Sequence, residues 1–84
     1  KSKEWMESWK KLKFSLIEYD MLRQNYELST QNLNAVGAQL DKAYTQEKNY
    51  LEEQVRCRNA YQNFLQAAYN VFINTIDLQK LESE

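Results

Sequence analysis

The sequence predicts an all-α chain: a long amphipathic helix whose apolar stripe is covered in a coiled-coil or helical-bundle oligomer. Three observations carry that expectation. From Leu40 to Leu81 the chain runs forty-two residues without proline or glycine. Through that stretch Tyr50, Leu51, Tyr61, Phe64, Leu65, Ala68, Val71, Phe72 and Leu78 recur at helical spacing, which gathers them on one face where a strand would need strict alternation. The whole chain has no proline and one glycine, so it lacks the turn chemistry that mixed folds need at each reversal.

The first segment, Lys3 to Leu28, reads as helix. Trp5, Trp9, Leu12, Leu16, Tyr19 and Tyr26 step by 4, 3, 4, 3 and 7, and Leu22 widens the stripe. Glu7–Lys11 and Arg23–Glu27 lie four apart on the polar side, a spacing that supports a helix. The weak stretch is 29–37, STQNLNAVG, because serine, threonine and asparagine compete for the backbone and Gly37 costs about 1 kcal/mol in a helix interior. Leu33, Val36 and Leu40 nonetheless cross it without a phase jump. Continuity is therefore the favoured reading, with a helical hairpin broken near 29–37 as the alternative. Beyond it, Lys48–Glu52 and Glu52–Arg56 again lie four apart. One uninterrupted helix would be about 126 Å long and stable only when packed along its length.

Continued from Trp5, the alternating 3,4 repeat defines a seam of twenty-two positions, fourteen of them apolar. Those fourteen form the predicted self-association interface: Trp5, Trp9, Leu12, Leu16, Tyr19, Tyr26, Leu33, Leu40, Tyr44, Leu51, Tyr61, Leu65, Ala68 and Phe72. So many bulky aromatics suit a bundle better than a leucine zipper. Bulky Trp and Tyr near one end, with Ala67 and Ala68 near the other, favour an antiparallel arrangement.

Composition bounds the rest. Eighty-four residues allow one small domain, 1–84, and 43% hydrophobic content is too apolar for a typical disordered chain. The chain begins with Lys1 rather than methionine, so a segment excised from a larger protein is the expectation. The net charge of −1 is unevenly spread, with +3 over 1–13, −4 over 14–55 and neutrality over 56–84. That balance does not point to nucleic acid. With a single cysteine, no sequon, no signal-peptide core and no bilayer-length apolar run, a cytoplasmic location is expected.

Catalysis is not expected, nor is a cofactor or metal. There is no histidine and no glycine-rich phosphate loop, and the adjacent Glu52 and Glu53 point about 100° apart on a helix. Cys57, on the flank of the stripe, reads as a small buried thiol or as a crosslink between parallel copies. The most function-like cluster is Trp5, Trp9, Lys10, Lys11, Lys13 and Phe14. It reads first as core tryptophans beside solvated lysines, and second as a membrane-surface or groove-binding helix.

The tail from Asn59 to Glu82, with its Tyr-Asn and Asp-Leu rhythm, resembles the last helix of outer-membrane efflux proteins, without the turn motif expected upstream. The broad stripe on a long acidic helix resembles BAR-type dimers of sorting nexins, which implies a dimer meeting anionic lipid. The expected function is therefore structural: self-association and scaffolding with copies of itself or other helical proteins. The alternative is a membrane-associated BAR-like dimer that touches lipid through Lys10, Lys11 and Lys13 beside the tryptophans.

Overall fold

The computed structural model describes residues 2–42 and 46–83. They form two helices, α1 (Ser2–Asp41) and α2 (Glu47–Ser83), packed on each other as an extended hairpin. The rod measures 62 × 13 × 13 Å, as expected when a 40-residue helix of about 60 Å is folded against one of similar length. The uninterrupted 126 Å helix is therefore corrected: the chain reverses between Asp41 and Glu47. The break near 29–37 is corrected too, because α1 passes through that stretch in one piece.

Local chemistry explains why 29–37 stays helical. The Thr30 hydroxyl donates to the Tyr26 carbonyl at 3.0 Å, so it is satisfied inside the helix instead of competing with it. Gly37 supplies neither a cap nor a turn. A Cβ placed there would lie 3.3 Å from the Tyr50 ring, so glycine lets that ring approach the α1 backbone. The reversal itself, from Asp41 to Gln46, uses neither glycine nor proline. At its far side the Gln46 carbonyl accepts from Asn49 N at 3.0 Å and Tyr50 N at 3.4 Å, and Glu47 places a negative charge in the first turn of α2.

The helices run antiparallel in a single register. Trp5 meets Glu82, Ser15 meets Asn74, Tyr26 meets Tyr61, Thr30 meets Cys57 and Gly37 meets Tyr50. The α1 side of the seam follows the 12, 15, 19, 22, 26, 29, 33, 36, 40 row, and the α2 side follows 50, 53, 57, 60, 64, 67, 71, 74, 78, 81; all are buried or half-buried. Leu12, Ser15, Ala60, Ala67 and Leu78 are the buried members. An aromatic layer forms across the seam, with Tyr19–Phe64 centroids at 5.2 Å and Tyr26–Tyr61 at 5.1 Å. Asn74 Nδ2 donates to Ser15 Oγ at 3.2 Å, while Ser15 Oγ donates to the Leu12 carbonyl at 2.8 Å. A satisfied polar contact inside an apolar seam disfavours slipped registers, in which it would be broken.

Candidate interaction surface

Covering one seam leaves much of each helix uncovered. The predicted interface residues divide accordingly. Leu12 is buried and Tyr19, Tyr26, Leu33 and Leu40 are half-buried, all between the two helices of one chain. Ala68 is half-buried, and Tyr44 lies outside the described residues. Trp5, Trp9, Leu16, Leu51, Tyr61, Leu65 and Phe72 remain exposed, from 37% at Trp5 to 60% at Phe72. In α2 the 3,4 repeat carried over from the first helix falls one residue from the row that turns inward. One residue is about 100° of rotation, enough to move a row from the seam to the outside.

The rod has two unlike flanks beside its seam. One carries Trp9 and Leu16 from α1 with Tyr61 and Ala68 from α2, and Leu65 and Phe72 extend it outward along α2. Trp5 and Trp9 stack at 6.2 Å, and Trp5 Nε1 donates to Glu82 Oε1 at 3.3 Å. Farther along this flank Tyr26, Leu33, Gln54, Cys57, Arg58 and Tyr61 line a shallow groove. The opposite flank is mixed. There Lys11, Glu18, Asn70 and Asn74 line a groove together with Phe14, Tyr69 and Ile73, and Glu4, Glu7 and Lys11 line another with Asp77, Lys80 and Leu81.

Sequence reasoning singled out Phe14, which is 68% exposed, but missed Met6, Ile17, Met21 and Leu28, which are 48% to 65% exposed on the outer side of α1. The seven-residue steps from Phe14 to Met21 to Leu28 were the available signal. The lysines of the predicted lipid contact do not share one face. Lys10 and Lys13 lie about 60° apart on the helix, but Lys11 is about 160° from Lys13 and lines the groove with Glu18.

Cys57 sits in the inner row, half-buried, with its Sγ 3.8 Å from Thr30 Oγ1. Its position on the stripe's flank is thereby corrected, and a disulfide between copies would have to draw it out of the seam. Arg23 bonds Asp20 at 2.7 Å and Glu27 at 2.8 Å. The Asp20 hydrogen bond first, and that to Glu27 second, raise its pKa and favour the charged form. These exposed pairs steady α1 locally and contribute little to the fold.

Among the described residues, no group of three or more His, Cys, Asp or Glu side chains could hold a metal ion, and no helix is long and apolar enough to cross a membrane. The surface offers apolar area and dispersed charge, the chemistry of association. Comparison with known protein families, curated proteins and solved structures finds no match.

Proposed function

We propose that this chain is a non-catalytic association module, a helical hairpin that self-associates laterally and scaffolds other helical proteins. One observation carries the reading: after the seam is closed, Trp9, Leu16, Tyr61, Leu65 and Phe72 stay exposed on one flank. A compact monomer of this mass would expose about 5,300 Å², whereas this chain exposes 6533 Å². Side-by-side packing of rods is the direct way to remove that excess, and the hydrophobic effect favours it. A two-helix unit with so few buried side chains also has a small core of its own.

Sedimentation equilibrium with circular dichroism tests the reading. The expected result is a mass above 10.1 kDa and a melting temperature that rises with protein concentration. A monomer whose melt does not depend on concentration would sink it.

A second reading has its own support. Lys3, Lys10 and Lys13 share the outward side of α1 with exposed Met6 and Ile17, a mixture that suits an anionic lipid surface. Co-sedimentation with phosphatidylserine vesicles, lost on raising the salt, would favour it.

A further inference from the structure

We draw no further inference here: the strongest candidate, the exposed apolar flank of Trp9, Leu16, Leu65 and Phe72 beside the seam, carries nothing beyond the association already proposed, because nothing in the structure shows what covers it.

Discussion

The hairpin divides between Ala60 and Cys57 of α2 into two unequal halves that are built differently, the longer one toward its open end. Every buried side chain among the described residues, Leu12, Ser15, Ala60, Ala67 and Leu78, belongs to the longer one. So do the aromatic contacts of Tyr19 and Tyr26 with Phe64 and Tyr61. In the shorter one the seam is made by Ser29, Thr30, Leu33, Val36, Gly37, Tyr50, Glu53 and Cys57, and none is fully buried. Small and polar residues there bury little apolar area per turn, so that half adds length and register more than stability. The well-packed half also carries the exposed apolar residues Trp9, Leu16, Leu65 and Phe72.

The largest test of this contrast is a pair of leucine truncations. Leu12→Ala should destabilise by about 2–3 kcal/mol in urea unfolding, and Leu33→Ala by roughly half as much, because the cost rises with burial and with the cavity left behind. Equal losses would mean that the two halves are packed alike.

Next in size is a charge on the flank. Phe72→Asp and Leu65→Asp should each weaken association by about tenfold or more, since either would place a carboxylate in apolar surroundings. Met21→Asp, on the outer side of α1, should leave association unchanged. If Met21→Asp disrupts assembly and Phe72→Asp does not, the wrong surface has been assigned.

Native-state hydrogen exchange sharpens the comparison with a smaller effect. Amides near Ala60 and Ala67 should be protected about tenfold more than those near Val36 and Val55, roughly 1.4 kcal/mol in opening free energy. Uniform protection along both helices would make the rod a single cooperative unit.

The smallest expected change comes from Gly37→Ala. Alanine improves helix propensity by about 1 kcal/mol, but its Cβ would sit 3.3 Å from the Tyr50 ring. In a loosely packed half the ring can yield a few tenths of an ångström, so a net gain of a few tenths of a kcal/mol is expected. A clear loss of stability by thermal melt would show that Tyr50 is held more tightly than the burial of its neighbours implies.

Periodicity and punctuation determined much of this protein without any structure. The absence of proline and the seven-residue spacing of Leu12, Tyr19, Tyr26, Leu33 and Leu40 place that row on one face of a helix, and in the structure it faces α2. Ser29 to Gly37 looked like the weak point because their side chains are poor helix formers in isolation. Inside the fold Thr30 is satisfied by its own helix and Gly37 by the nearby Tyr50 ring. The reversal was not legible, since Asp41 to Gln46 contains no glycine or proline to announce it. Nor was the inward row of α2. Tyr50, Ala60, Phe64 and Ala67 form one apolar row, while Leu51, Tyr61, Leu65 and Phe72 form another, and hydrophobicity alone does not rank them. Tertiary packing chose between the two: in the fold Ala60 and Ala67 are buried, and Phe64 of their row meets the Tyr19 and Tyr26 rings at centroid distances of 5.2 and 5.9 Å.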